Sequence, residues 1–205
     1  MRYLPLGNSG LLVSVIGLGC NNFGGRIDVR QARPVVDAAI DAGITFFDTA
    51  EMYGTNGGSE LALGEILHGR RDKVVLATKF GHQAVDMGYG PAAPYFPLAN
   101  GMLTGKVRRG QAPPAGTRIA ARTALITDEK LDKVEALIGW GAERGVSLLE
   151  IAIGGLAAQP GCASVIAGAT TAEQVAANAA AGNWVPTPEE LEQSDKIVPP
   201  AAAPR

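Results

Sequence analysis

The chain is 205 residues long, 46% hydrophobic and 19% charged, with a formal net charge of −2. That apolar share supports a sizeable core and excludes wholesale disorder. The near-neutral charge excludes the basic excess expected of a nucleic-acid or membrane-surface binder.

The stretch Gly7-Asn8-Ser9-Gly10, between apolar flanks, predicts a β-hairpin turn. The apolar run Val13 to Gly19 reads as a buried strand feeding the loop Cys20 to Gly25. A helix follows, with Asp28 as N-cap, Ala32, Val35, Val36, Ala39 and Ile40 at helical spacing, and Gly43 past its end. Ile44 to Asp48 is a second buried strand that ends on a carboxylate, and a polar, glycine-rich loop runs on to Gly58. A helix from about Ser59 to Leu67 and a strand from Lys73 to Lys79 complete a βαβαβ pattern. Strands apolar on both faces are what a helix-covered parallel sheet requires, so the class is α/β.

The pattern weakens from Gly81 to Pro97, where only Tyr95-Phe96 is strand-like, and the polar stretch Arg108 to Ile126 reads as irregular. A helix begins near Thr127 or Asp128, and an all-round apolar helix covers about Leu148 to Gln159. Ser164 to Gly168 is a strand, Thr171 to Ala181 the helix after it, and Thr187-Pro188 a further helix start. A frayed tail is expected over about 197–205. No apolar run reaches the roughly 18 residues of a membrane span. The N-terminus has no signal-like apolar stretch, and Cys20 and Cys162 form neither a disulfide framework nor a metal-ligand spacing. The expectation is a cytoplasmic, metal-free chain with 1–205 as one domain.

In a parallel α/β fold the chemistry sits at the C-terminal ends of strands. Three successive strands here end at Gly19, Asp48 and Lys79, with Tyr53 in the loop after Asp48. A free phenol titrates near pH 10. A neighbouring ammonium favours its phenolate, and a carboxylate holds that ammonium in place, so the trio suits a general acid toward a carbonyl oxygen. An ordinary Asp48–Lys79 ion pair is the alternative. Gly168 leads into Thr170-Thr171 and a helix start, which suits a phosphate; the plain alternative makes Thr171 an N-cap only. The run Lys106, Arg108, Arg109 reads either as a phosphate contact or as a solvated loop. His68 suits a helix C-terminus, His82 lies just past Lys79, and Trp140 and Trp184 read as packing residues.

These residues resemble the aldo-keto reductases. Leu6 to Gly19 is similar to that family's N-terminal hairpin and first strand. Gly43 to Gly54 matches its signature around an Asp and a Tyr, and Thr78-Lys79 its lysine segment. Tyr95 to Gly101 with Leu103-Thr104-Gly105-Lys106 looks like its seventh strand and cofactor loop, and Val165 to Thr171 with Gln174 and Asn178 like its last strand. The resemblance implies a (β/α)8 barrel and NADP(H)-dependent reduction of a small aldehyde or ketone, with NAD(H) as the alternative cofactor. It implies catalytic roles for Asp48, Tyr53 and Lys79. It implies cofactor contacts from Gly19, Cys20, Asn21, Asp48, Tyr95, Pro97, Leu98, Gly101, Lys106, Gly168, Thr170, Gln174 and Asn178. NADP over NAD is a lean only, because Gly168 and Ala169 stand where many relatives place a lysine and a hydroxyl residue.

The chain departs from the family where it passes from Lys79 to Tyr95 in 16 residues. Strands four to six and their helices are missing, about 100 residues against the roughly 250 of a barrel. With them go the family's histidine and its Ser-Asn and Gln carboxamide ligands, placing an internal gap at about 81–94. An inactive or regulatory nucleotide-binding protein is therefore the alternative function. An opened barrel exposes sheet edges, so the expectation is either that an internal segment is left out of the sequence or that the deletion is real and an oligomer, a swap or a remodelled core compensates.

Overall fold

The computed structural model describes residues 1–79 and 98–199. Among these the chain groups into two compact units, one from residues 1–79 and 160–183, the other from 98–159 and 184–199.

In the first unit, β1 (Tyr3–Pro5) and β2 (Leu12–Ser14) form the antiparallel hairpin. The strands β3 (Ile16–Gly19), β4 (Phe46–Asp48), β5 (Val75–Ala77) and β6 (Val165–Gly168) form a parallel sheet in the order β5-β4-β3-β6. This is the α/β sheet that the apolar runs predict. Its register sets the later geometry: Gly19 stands beside Gly168 on one side and Asp48 on the other, and Asp48 beside Ala77. One row across the C-terminal end of the sheet therefore carries four strand exits.

Helices α1 (Val29–Asp41), α2 (Gly58–Ile66) and α5 (Ala172–Ala181) belong to the same unit, with α1 packed against both others. Asp28 caps α1 in a full capping box with Gln31, satisfying two otherwise orphaned N–H groups. Val35, Val36 and Ala39 of α1 are fully buried, as are Leu18 of β3 and Phe47 of β4. At the opposite end of the sheet, the Ser14 and Thr45 hydroxyls each accept the other residue's backbone N–H, at 3.0 and 2.9 Å. These bonds fasten the hairpin to the start of β4.

Two strands are shorter than their apolar runs suggest. Ile44 donates its N–H to Ala39 and so closes α1 rather than opening β4. Arg71–Lys73 winds as a 3₁₀ turn and delays the start of β5, and at the other end the strand stops at Ala77, two residues before Lys79.

The second unit contains α3 (Asp128–Ala142), α4 (Leu148–Ala157) and α6 (Pro188–Ile197), with 3₁₀ turns at Ala99–Thr104 and Ala120–Leu125. Its core gathers Met102, Val107 and Ile119 from the connecting segments with Leu131, Val134, Leu137, Leu148 and Ile151 from the helices. Trp140 and Trp184 meet edge to face at 6.4 Å, as packing residues do. The last helix runs to Ile197, longer than the sequence suggested, because Thr187 and Glu190 form a capping box with Pro188 in the first turn. The strand-like Tyr95-Phe96, Pro97 and His82 lie outside the described residues.

Candidate active site

Asp48 ends β4, and both of its carboxylate oxygens accept from Lys79 Nζ, at 2.7 and 2.8 Å. The same ammonium donates to the Thr49 carbonyl at 2.8 Å. It lies 4.9 Å from the centre of the Tyr53 ring. The structure thus brings together the carboxylate, amine and phenol that the strand ends suggested. Burial acts to lower the Lys79 pKa, but the hydrogen bond and charge of Asp48, with Tyr53 adding to both effects, hold it above its ordinary 10.5. The amine is therefore a fixed cation at neutral pH.

Tyr53 is held through its backbone. Its N–H donates to Ala50 at 2.9 Å, and its carbonyl accepts from the Ser59 N–H at 3.0 Å.

Gly19, Cys20 and Asn21 leave β3 along the same row. Cys20 is completely buried. Its thiol donates to the Leu18 carbonyl at 3.4 Å, and its N–H donates to the Asp48 carbonyl at 2.9 Å. Burial, then the charge of Asp48, pushes the thiol far above its usual range. Cys20 thus acts through its backbone, with a neutral side chain directed into the core. The neighbouring Asn22 donates to the Ala169 carbonyl at 3.2 Å and so ties the exit of β3 to that of β6.

At the exit of β6, Gly168 is exposed, and the Thr170 N–H and hydroxyl both donate to Gln174 Oε1, at 2.8 and 3.2 Å. Thr171 caps α5, and Asn178 is buried on the same helix. Glu173 lies at this helix end too, its carboxyl lowered by its own backbone N–H and by the Thr171 hydroxyl.

Leu98, Gly101 and Lys106 fall in the second unit, where Leu98 precedes the first 3₁₀ turn and Gly101 sits within it at φ +101°. Arg108 and Arg109 are committed there to carboxylates of α3. Arg108 forks onto Glu135 with two bonds of 2.8 Å, and Arg109 pairs with Asp128 and Asp132. Among the described residues no cluster of three His, Cys, Asp or Glu side chains is placed to hold a metal ion. None of the described helices is long and apolar enough to cross a membrane.

The sequence gives no sign of Thr49, Ser59 and Asn22, which are buried polar residues around the site. Ser59 follows Gly57-Gly58 and reads as an ordinary helix start.

The parallel α/β sheet thus gathers a carboxylate, an ammonium and a phenol at the C-terminal ends of its strands. The family model described as "Aldo/keto reductase family" matches residues 15–93 and 88–199, so the chain belongs to the aldo/keto reductase family, a family of oxidoreductases. The two matches meet at residues 88–93, between the third-strand and seventh-strand motifs.

A rice protein named "Probable voltage-gated potassium channel subunit beta" is 27% identical over 320 aligned positions, covering 97% of each chain. Set against a chain of 205 residues, that alignment leaves more than a hundred positions of the relative unmatched. "Uncharacterized oxidoreductase YrpG" of Bacillus subtilis is 43% identical over 99 residues, 44% of this chain and 30% of the relative.

Among solved structures, the glycerol dehydrogenase AKR11B4 from Gluconobacter oxydans matches with a TM-score of 0.76 at 17% identity, over 99% of this chain and 98% of that one. An aldo/keto reductase from Klebsiella pneumoniae, solved with NADP and acetate, matches with a TM-score of 0.63 at 21% identity, over 95% and 94%. The fold is that of the aldo-keto reductase barrel, and among the described residues its sheet keeps four parallel strands.

Proposed function

We propose that the chain binds a nicotinamide cofactor and reduces a small aldehyde or ketone to the alcohol. The observation that carries this reading is the two-oxygen clasp of Asp48 on Lys79, with the ammonium 4.9 Å from the Tyr53 ring. A reduced nicotinamide supplies the hydride to the carbonyl carbon. Tyr53 gives its phenol proton to the carbonyl oxygen, so hydride and proton together complete the alcohol. The Lys79 ammonium stabilises the phenolate left behind, and Asp48 keeps Lys79 charged and aimed.

The first unit fits the adenosine end of such a cofactor. Gly168 has no Cβ and is exposed beside Asn21 and Asn22. The Gln174 carbonyl is already taken by Thr170, so its amide N–H₂ is the end presented to a ligand, with Asn178 one turn further on. By resemblance alone, Leu98, Gly101 and Lys106 are cofactor-loop positions, and Tyr95 and Pro97, outside the described residues, are cofactor positions too. NADP(H) is the preferred form.

The test is Tyr53→Phe. Carbonyl-dependent NADPH oxidation should fall roughly 10²–10⁴-fold, the usual span for a lost general acid, while the NADPH dissociation constant stays within twofold. Unchanged turnover would remove Tyr53 from the role.

A second reading is a nucleotide-binding regulatory or subunit protein. It is favoured by the channel-subunit relatives in rice and Arabidopsis thaliana, 27% and 25% identical over 97% of this chain. It is also favoured by the absence of the segment that carries the family's histidine. NADPH binding without turnover on a panel of aldehydes and ketones would select it.

A further inference from the structure

Ser59 lies in the first turn of α2 and is completely buried. Its Oγ is 2.9 Å from the Cys20 carbonyl and 2.8 Å from Thr49 Oγ1. A hydroxyl has a single proton, and a carbonyl can only accept. The Ser59 proton therefore goes to Cys20, and Thr49 must donate its own proton to Ser59. This orients a buried relay running Thr49 to Ser59 to Cys20.

Each member of the relay holds part of the site. The Thr49 carbonyl is the third acceptor of the Lys79 ammonium, at 2.8 Å. Cys20 binds the Asp48 carbonyl through its N–H, and the Ser59 N–H binds the Tyr53 carbonyl. One serine is thus linked to the backbones that carry the phenol, the carboxylate and an acceptor of the amine.

The surrounding loops have little freedom to adjust. Thr55 donates to the Gly24 carbonyl at 3.2 Å, and a Cβ placed on Gly58 would stand 2.8 Å from that same oxygen. The loops after β3 and β4 therefore dock backbone against backbone, and Ser59 Oγ bridges them through Cys20 and Thr49.

We propose that Ser59 is a positioning residue that keeps Tyr53 and Lys79 in register through this relay, without touching substrate or cofactor. The proposal rests on the reductase reading for its catalytic meaning, but its structural content can be tested separately.

The test titrates Tyr53 by the ultraviolet absorbance of tyrosinate in the whole chain. Wild type minus Tyr53→Phe isolates one phenol among the four tyrosines. The same difference is then taken in the Ser59→Ala background. Drift of the ammonium away from the ring should raise the Tyr53 midpoint by about 1 pH unit, the scale set by a neighbouring opposite charge. In turnover, kcat should fall roughly tenfold, about one pH unit's worth of coupling, and the KM for NADPH should hold.

Thr49→Val removes the proton donated to Ser59 at nearly constant volume. It should raise the midpoint in the same direction, and it serves if Ser59→Ala loses cooperative unfolding. An unchanged midpoint in both variants overturns the proposal. A wild-type chain without turnover would count against the reductase reading, and the titration would still decide the role of Ser59.

Discussion

Lys79 is the residue on which the site's electrostatics turn. Three oxygens surround its ammonium, two from Asp48 and one from Thr49, and the phenol ring lies alongside. Its pKa is raised in the folded chain: burial opposes the proton, but Asp48 and then Tyr53 prevail. The folded state therefore binds this proton more tightly than the unfolded state does. The stability it contributes is fully present below 10.5, and it is lost as pH climbs through the higher folded value. In Lys79→Met, thermal melts should show a deficit against wild type that is constant from neutral pH to about pH 10 and shrinks above the ordinary lysine range. A deficit that grew with alkalinity would contradict the pairing. The trio was legible in the sequence because strand exits in parallel sheets are where side chains converge. Ser59 was not, because a buried hydroxyl has no periodicity and its Oγ partners come from two different loops.

At the scale of elements, α3 offers a comparison within one helix. Gly139 and Gly141 are both interior to Asp128–Ala142. Nothing lies within 4 Å of a Cβ on Gly139, whereas one on Gly141 would overlap the Val146 carbonyl oxygen and stand 2.9 Å from Ile151 Cδ1. Gly139→Ala should therefore stabilise by about 0.5–1 kcal/mol, through helix propensity alone. Gly141→Ala should destabilise by about 1–3 kcal/mol, because the turn that returns the chain to α4 has to move. Urea denaturation of both variants checks the opposite signs; equal effects would mean that the two helices do not meet closely at Gly141. Helix starts were well legible, since Asp28, Thr127, Thr171 and Thr187 all accept the N–H expected of a cap. Strand ends were less so. Ile44 and Lys73 are as suitable for a ladder as their neighbours, but the adjoining helix and turn claim their backbone groups first.

Across the whole molecule, the missing segment removes three strands from a fold whose remaining parts still align. The row from Gly168 through Gly19 and Asp48 to Ala77 is continuous because the first, second, third and eighth strands of the barrel are neighbours. The sequence shows the gap as a change of motif over a few residues, and the two family matches meet at the same place. Retaining the row preserves both the phenol site and the Gly168–Gln174 corner in one compact unit, so cofactor affinity should survive the loss of the middle strands. A ligand that binds only the folded chain stabilises it by about 2.7 kcal/mol at a hundred times its dissociation constant. For a chain of this size that is a rise of roughly 5–10 °C in Tm. NADPH should produce such a shift in thermal melts, and NADH a smaller one at equal concentration. If the proposed adenosine corner holds the cofactor, Gln174→Ala should cut the NADPH-induced shift at fixed ligand concentration, whatever it does to the melt of the free protein, because it removes the side chain that Thr170 holds there. No shift with either nucleotide would mean that the corner had lost its cofactor along with the missing strands. A full shift in Gln174→Ala would place the adenosine end elsewhere.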